Sequence, residues 1–516
     1  MLLRKFICLA IIILTAGFVR AQDTTVTVII DFNKTAQTID NIGASACWFS
    51  EGIGKYWPTE KKEKMAQLLF SKKFDAQGNP EGIGLSSFRF NIGAGTAEQG
   101  DSSGIKDFRK RTECFLQPNG TYDWTKQEGY RYFLQKAHDY GVENLIAFSN
   151  SAPVQFNKNG LGYKTEKDYT ANLRPDAYGA YAKFLATVLK HFDGQGLHFN
   201  YISPVNEPQW DWSHKYKEAD QEGSPWHNED IYKITKSLDS ALTANKLSNK
   251  ILITEAGMLT YLYGGNAGAS HQIQQFLKPG NSLYLGNLKH ITPMIGGHSY
   301  FTEANDSTLA SVRSRLADTA QKYKANFWET EYSMLANGYK EGSKEKRTTM
   351  DCALFLAKVI YSDFTIANAT AWQFWNSFEP GNPNFETRYN LIALKPNPDF
   401  KDGDFSVTKN LWALGHYSLF VRPGMQRIVT NNNNLQGVMT SAYRDKNNKL
   451  VIVAINYGTK PVQLKVEPEN SKKKYTKLAE YLTTADAEMN MMLIPAKAIT
   501  NKVSMPARSI ATLVIE

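Results

Sequence analysis

The stretch that decides the fold is HFNYISPVNEP, residues 198–208. Residues 198–206 form a short β-like run, and Pro208 ends it because proline cannot continue a central strand ladder. An amphipathic stretch at 177–191, with apolar residues three and four apart, precedes the run, and another at 229–243 follows it. Helical segments on both sides of a short strand predict a strand that belongs to an α/β sheet.

The same alternation extends along most of the chain. Five helix-like stretches are evident, at 128–140, 177–191, 229–243, 307–323 and 347–365. Eight β-like runs alternate with helical sequence, at 42–47, 87–92, 144–150, 198–206, 251–255, 294–300, 325–331 and 369–375. This count and order predict an α/β protein built on a (β/α)₈ barrel.

The pattern changes after Arg422, Pro423 and Gly424. Alternating β-type segments at 450–457, 461–466 and 509–515 are separated by Asn- and Asp-rich turns, which is typical of an antiparallel β-sandwich. Residues 25–31 alternate in the same way, so we expect the two termini to share this side domain. The predicted organisation is a signal peptide at 1–21, an N-terminal sandwich strand at 22–40, the barrel at 41–418 and the sandwich at 419–516.

The N-terminus has the features of a secretory leader. Arg4 and Lys5 precede an apolar run at 6–18, and Ala21 offers a small residue before a cut ahead of Gln22. That run is shorter than the ~20 residues of a membrane-spanning helix, so no membrane insertion is expected after cleavage. We expect an exported protein, periplasmic or extracellular, which acts as a monomer.

Composition excludes several classes of protein. The chain has 516 residues with 42% hydrophobic and 12% aromatic residues, which is enough for a large core. Its formal charge of +9 falls to +6 without Arg4, Lys5 and Arg20, and no basic block suggests nucleic acid. The mature chain keeps Cys47, Cys114 and Cys352, so at most one disulfide could form. Motifs for a metal, a nucleotide phosphate or a serine esterase are absent, and we expect no cofactor and no metal.

Two carboxylates lie where a barrel enzyme places its chemistry. Glu207 and Glu331 end strand-like runs four and seven, and catalytic groups of such barrels sit at the C-terminal strand ends. A carboxyl pair ~5–5.5 Å apart supports double displacement at a sugar carbon. A single strand-end Glu could instead only pair with an Arg. Glu329 shares strand parity with Glu331 and could point into the same barrel, although Glu331 lies nearer the strand end.

The chain resembles glycoside hydrolase family 30. The resemblance rests on ISPVNEPQ at 202–209, FWETEYS at 327–333, LWALGHYSLFVRPG at 411–424 and MPARSIAT at 505–512. It spans nearly the whole mature chain. GASACWF at 43–49 and RFNIGAG at 89–95 are most similar to the endo-β-1,6-galactanase branch of the family.

The resemblance implies roles for individual residues. Glu331 would be the nucleophile and Glu207 the general acid/base, and both Arg89 and Tyr300 would contact the nucleophile. Trp372 would form the aromatic floor beneath the sugar at the cleavage point.

Further residues are candidates for binding the carbohydrate substrate. Asn206 would hydrogen-bond the sugar 2-hydroxyl, a contact that strengthens in the transition state. Trp210 and Trp212 are on the loop after Glu207, and loops at this end of a barrel line the cleft. The candidates for flanking subsites or other sugar contacts are Trp48, Trp210, Trp212, Trp375, Asn150 and His298.

Two classes of function stay open from sequence. The first is a retaining β-glycosidase, with β-1,6-galactan as the expected polysaccharide. Other family specificities are alternatives: β-1,6-glucanase, xylanase, β-fucosidase or glucosylceramidase-like activity. The second class is a non-catalytic carbohydrate-binding protein that kept the barrel.

Overall fold

The computed structural model describes residues 24–499 and 502–516, so the expected signal peptide lies outside the described residues. In chain order the strands are β1 (Thr24–Thr38), β2 (Asn41–Ser45), β3 (Ser87–Asn91), β4 (Asn144–Phe148), β5 (Tyr201–Ser203), β6 (Lys250–Ala256), β7 (Ile291–His298), β8 (Asn326–Tyr332), β9 (Ala371–Phe374), β10 (Phe378–Pro380), β11 (Ile392–Pro396), β12 (Gly403–Val407), β13 (Gln426–Thr430), β14 (Val438–Arg444), β15 (Leu450–Asn456), β16 (Val462–Glu469), β17 (Lys477–Thr483), β18 (Met492–Ala498), β19 (Val503–Met505) and β20 (Ser509–Ile515).

The α-helices separate most of the barrel strands and precede the C-terminal sheet. They are α1 (Phe49–Tyr56), α2 (Thr59–Phe70), α3 (Thr96–Gln99), α4 (Glu128–Asp139), α5 (Tyr178–Gly194), α6 (Asn228–Ala244), α7 (Thr260–Tyr263), α8 (Gln272–Leu277), α9 (Asp306–Lys322), α10 (Thr349–Thr365) and α11 (Lys409–Ser418). None of the helices in the described ranges is long and apolar enough to cross a membrane.

Strands β2 to β9 form a closed barrel in sequence order, which confirms the predicted (β/α)₈ architecture. Every neighbouring pair is parallel, as helical crossovers require. An apolar cluster containing Ile146, Leu252, Met294 and Trp328 fills part of the barrel interior. Because the interior is a packed core, polar chemistry is confined to the strand ends.

The second domain is a nine-stranded sheet in the order β18-β17-β20-β15-β14-β13-β1-β16-β19. Strand β1 lies antiparallel to β13 and parallel to β16, with Ile30 beside Thr430 and Val28 beside Val466. Apolar side chains from strands along the sheet, among them Ile452 and Leu513, meet in one buried cluster. The predicted sandwich built from both chain termini is therefore confirmed.

Helices α10 and α11 join the two domains. All ten residues of α11 are buried, and α10 contacts β14, β15 and β20 of the sheet. His416 of α11 lies 2.9 Å from Thr512 Oγ1 and 2.8 Å from Thr483 Oγ1, and burial lowers its pKa to about 3. A neutral imidazole thus bridges the helix to two strands of the sheet.

Two features extend the sequence predictions. Strands β10 to β12 form a small separate sheet after the barrel, which the sequence analysis did not predict. Cys47, Cys114 and Cys352 are buried and free, so none of these three forms a disulfide in the described ranges.

We expect the sandwich to be structural rather than detachable. A chain that ends at Pro423 would expose the buried faces of α10 and α11 and leave β1 without its partners. Apolar surface of this extent drives aggregation. The truncated protein should be insoluble or inactive, as measured by its soluble fraction and glycosidase assay, and a soluble barrel with full activity would contradict this expectation.

Candidate active site

A cavity of about 460 Å³ opens where the barrel strands end. It is lined by Trp48, Lys110, Asn150, Asn206, Glu207, Trp210, Trp212, Gln221, Tyr300, Phe301, Glu331, Ser333, Leu335, Trp375, Glu379 and Tyr389. Nine of the sequence candidates are in this set, and the remaining three (Arg89, His298 and Trp372) are not. The loops that follow the parallel strands bring these distant residues together.

Glu207 and Glu331 face each other in this cavity. Glu331 lies in β8, whereas Glu207 follows β5 with a positive φ of 44° and donates its backbone N–H to the Glu255 carbonyl at 2.8 Å. Oxygen atoms of the two carboxyl groups lie within 4.8 Å of each other. The side chains are nearly buried, with 8% of Glu207 and 5% of Glu331 exposed.

Glu331 is held by two donors. Arg89 Nη1 donates to Glu331 Oε2 at 2.6 Å, and Tyr300 donates its hydroxyl to Oε1 at 3.1 Å. Burial raises the pKa of Glu331, His298 and Arg89 oppose that rise, and Glu207 adds to it. These hydrogen bonds fix the direction in which the carboxylate points.

Arg89 also orients Asn206. Its Nη2 donates to Asn206 Oδ1 at 3.0 Å, which directs the amide Nδ2 of Asn206 to other acceptors. Arg89 was expected to contact Glu331, and the structure buries it completely behind that residue, with its guanidinium 3.6 Å from the ring centroid of Phe148. Arg89 therefore contacts the residues that line the cavity and does not line it.

His298 is also buried behind the cavity rather than placed for contact with sugar. Its Nδ1 lies 3.0 Å from Glu207 Oε1 and 3.8 Å from Glu331 Oε1, and its Nε2 lies 3.3 Å from Glu255 Oε2. Burial lowers the pKa of His298, but the three carboxylates outweigh this and raise the pKa to about 10. A protonated imidazole thus lies between the two carboxyl groups of the cavity.

Glu255 is the buried carboxylate that sequence reasoning missed. It lies in β6, accepts hydrogen bonds from the hydroxyls of Ser203 and Thr330, and lies 3.5 Å from Arg89 Nη2. Burial raises its pKa, but Arg89 and His298 outweigh this and lower the pKa to about 2. The available signal was its position at the end of the predicted run 251–255.

Glu329 is separated from the cavity although it shares a strand with Glu331. Its Oε1 accepts the backbone N–H groups of Glu331 at 3.1 Å and Ser299 at 3.3 Å. Burial, and then the charge of Asp363, raise the pKa of Glu329 well above the usual carboxyl value. Glu329 therefore contributes a buried anchor for the backbone of β8, and Glu331 alone of the two lines the cavity.

Trp372, which was expected to form the aromatic floor beneath the sugar, does not line the cavity. Trp372 lies within β9, is fully buried, and donates its indole N–H to Asp363 at 2.9 Å. Trp375 follows the end of β9, lines the cavity and packs edge to face with Trp48 at 5.0 Å between ring centroids. The expectation for Trp372 is thus wrong, because its side chain points outward from β9 to α10, where Asp363 lies, and not into the cavity.

The opposite side of the cavity is formed by the loop after Glu207. Trp212 donates its indole N–H to the Glu207 carbonyl at 3.1 Å, and Trp210 packs edge to face with Phe301 at 6.0 Å. Asn150 lines the same cavity, and its buried Nδ2 has no hydrogen-bond partner among the described residues. That amide is available to a ligand.

Glu207, His298 and Glu331 offer ligand atoms within 4.8 Å of one another, a spacing that could also hold a cation. His298 would have to release its proton before either nitrogen could bind a metal. Arg89 and His298 already supply two positive charges to this cluster. The arrangement therefore has the character of a buried ion-pair network.

Comparison with known proteins identifies the family. The profile of O-glycosyl hydrolase family 30 matches residues 25–386, and that of the glycosyl hydrolase family 30 beta sandwich domain matches residues 424–513. Glucuronoxylanase XynC of Bacillus subtilis (strain 168) is 22% identical over 368 residues, which cover 70% of each chain.

Two solved structures share the fold. A conserved exported protein from Bacteroides fragilis is 34% identical, with a TM-score of 0.86 over 95% of this chain and 100% of its own. The catalytic domain of GH30 xylanase C from Talaromyces cellulolyticus is 20% identical, with a TM-score of 0.65 over 95% of this chain and 100% of its own. Both family profiles and the two-domain architecture agree, and the chain belongs to glycoside hydrolase family 30.

Proposed function

We propose that the protein is a retaining β-glycosidase with Glu331 as nucleophile and Glu207 as general acid/base. The observation that carries this is the carboxyl pair whose oxygen atoms lie within 4.8 Å across the cavity. Retaining enzymes place their carboxyl groups ~5–5.5 Å apart, whereas inverting enzymes leave ~6.5–9.5 Å for a water molecule. The short separation favours double displacement.

In the first step, a Glu331 oxygen forms a bond to the anomeric carbon as the bond to the leaving oxygen breaks. Glu207 gives its proton to that oxygen, so the leaving sugar departs as an alcohol. In the second step, Glu207 removes a proton from water, the water oxygen bonds to the anomeric carbon, and Glu331 is released. Two inversions give net retention.

His298 suits the charge movement of this reaction. Glu331 loses its negative charge when it bonds to the sugar, while Glu207 becomes negative on giving up its proton. His298 lies 3.0 Å from Glu207 and 3.8 Å from Glu331. One fixed cation therefore lies beside whichever of the two carboxyl groups is negatively charged. A preorganised charge of this kind needs no rearrangement during the reaction.

The substrate contacts follow from the cavity lining. Asn206, oriented by Arg89, would donate to the 2-hydroxyl of the sugar at the cleavage point. Trp375 and Trp48 on one side, and Trp210 and Trp212 on the other, would stack on neighbouring sugars. Aromatic surfaces on both sides of the carboxyl pair support binding of a chain rather than of a single sugar.

We propose an exported enzyme that cleaves β-1,6-linked galactan internally. The specificity is supported by the resemblance of residues 43–49 and 89–95 to endo-β-1,6-galactanases. Export is supported by the leader-like N-terminus and by similarity to an exported protein of Bacteroides fragilis. Because XynC is a glucuronoxylanase, xylan is the second candidate.

A panel of β-1,6-galactan, β-1,6-glucan and glucuronoxylan tests the substrate. We expect the purified protein to release oligosaccharides of several lengths from the galactan, measured by chromatographic sizing. Proton NMR of the first products should show the β-anomer before mutarotation. An α-anomer would exclude retention, cleavage of xylan alone would reassign the substrate, and binding without hydrolysis would indicate a carbohydrate-binding protein.

Separate substitutions test the roles of the two carboxylates. Glu331→Ala removes the group that forms the glycosyl-enzyme, so turnover should fall by several orders of magnitude. Azide should then yield the α-glycosyl azide from an activated β-glycoside. Glu207→Ala should still form the glycosyl-enzyme when the leaving group is good, and azide should give the β-azide. The anomers are distinguished by proton NMR.

Glu329→Gln is the matched control for these variants, since it changes a carboxyl group two residues from Glu331. We expect lower stability or a modest loss of activity. Near-normal turnover of Glu331→Ala together with loss in Glu329→Gln would reassign the nucleophile to Glu329.

Glu255 should maintain the proton on His298. Glu255→Gln removes a negative charge 3.3 Å from Nε2, so the pKa of His298 should fall by at least ~1 unit from about 10. NMR titration of labelled histidine measures this change. The alkaline limb of the pH–activity profile should move to lower pH, because His298 loses its charge sooner. Glu303 is a buried carboxyl group that does not contact His298, so Glu303→Gln should leave the pKa of His298 and the pH–activity profile unchanged. An unaltered pKa of His298 in Glu255→Gln would refute the role of Glu255.

A further inference from the structure

A second cavity lies at the seam between the barrel and the sandwich. Its volume of about 740 Å³ exceeds that of the carboxylate cleft, and the two share no residue. The seam cavity is lined by Lys72, Phe74, Leu419, Phe420, Arg422, Pro423, Gly424, Met425, Asp445, Lys446, Lys449, Val451, Lys477, Ala479, Tyr481, Val514 and Glu516. The catalytic chemistry uses none of these groups.

The floor of the seam cavity is formed by the outer part of one face of the nine-stranded sheet. Val451 pairs with Val514, and Val514 pairs with Ala479, so the three form a row across β15, β20 and β17. Further along this face, Val453 and Ile510 pack into the barrel core. The sheet therefore extends beyond the barrel edge and leaves an apolar, concave corner.

Aromatic rings form one wall of this corner. The ring centroids of Phe420 and Tyr481 are 4.6 Å apart, and those of Phe74 and Tyr481 are 5.9 Å apart. Phe74 is 41% exposed, so its ring is accessible to a ligand. Aromatic faces are electronegative and attract the polarised C–H groups of a sugar ring.

The rim of the seam cavity is positively charged. Its lining contains five basic residues and two acidic ones. Lys449 is paired with Glu516 at 3.1 Å, and both Lys72 and Arg422 are paired with Glu143 at 3.7 and 2.6 Å. Neither Lys446 nor Lys477 forms an ion pair with any residue in the described ranges. Next to an apolar floor, the ammonium groups of Lys446 and Lys477 favour a ligand that is an anion and also has an apolar face.

We propose that the seam cavity binds a short segment of an acidic polysaccharide, one whose sugars carry carboxylates. The rings and the valine floor would contact sugar faces, and Lys446 and Lys477 would pair with the carboxylates. A single concave pocket suits a few sugars, whereas nucleic acid requires a basic track along its backbone. The site would hold the enzyme on charged glycan, separately from the cleft, and does not depend on the proposed cleavage specificity.

Affinity electrophoresis and calorimetry with the full-length protein test this binding. Glu331→Gln serves as the background, because it prevents turnover without altering the seam. Oligogalacturonate should bind, and neutral β-1,6-galactan oligosaccharides of equal length should not compete. The double substitution Lys446→Gln with Lys477→Gln should raise the Kd about tenfold, and Tyr481→Ala should also weaken binding. Affinity should fall as salt screens the exposed charges.

Lys344→Gln with Lys346→Gln is the matched control, because it removes the same charge from two other exposed lysines. This control should leave the Kd unchanged and show that position, rather than net charge, matters. Equal weakening by both pairs, no binding of oligogalacturonate, or tighter binding of single-stranded DNA would each overturn the proposal. Circular dichroism and melting temperature should show that all variants are folded.

Discussion

The contact between Arg89 and Glu331 is the interaction on which the cleft depends. It joins β3 to β8 across the barrel at 2.6 Å, with Arg89 buried and only 5% of Glu331 exposed to the cavity. A buried charge is tolerated only when it is paired and hydrogen-bonded, and removing one partner of such a pair costs about 3–5 kcal/mol. His298 and Glu255 complete the pairing of the buried charges. The same four side chains therefore balance the charge and fix the geometry at this end of the barrel.

This network explains why several polar residues are buried behind the cavity without lining it. Arg89 and His298 act through the carboxylates that they orient, and Glu255 in turn fixes both cations. Their positions in the middle of β3 and near the ends of β6 and β7 require these strands to be in register. The side chains of this network thus also contribute to closing the barrel.

Sequence reasoning identified the barrel because its strands are short apolar runs separated by amphipathic helices. It predicted that Glu207 and Glu331 would lie together, because the C-terminal ends of the parallel strands meet at one end of the barrel, and the structure places both in one cavity. Trp372 and Trp375 show the limit of that reasoning. Only the structure shows that β9 ends at Phe374, and this end point decides which ring faces the core and which faces the cleft. Lys110 and Glu379 were missed because tertiary contacts alone bring their loops to the cavity.

The position of β1 has a consequence for how the molecule is made. Thr24 lies beside Val462 and Ile30 beside Thr430, so the first described strand is completed by residues from the far end of the chain. Contacts of such long sequence separation form slowly because the entropy of closing the loop is lost first. During synthesis, the N-terminal strand must remain unpaired until almost the whole polypeptide has emerged. The side domain therefore completes its sheet only late in synthesis, because its first described strand depends on partners from the C-terminal part of the chain.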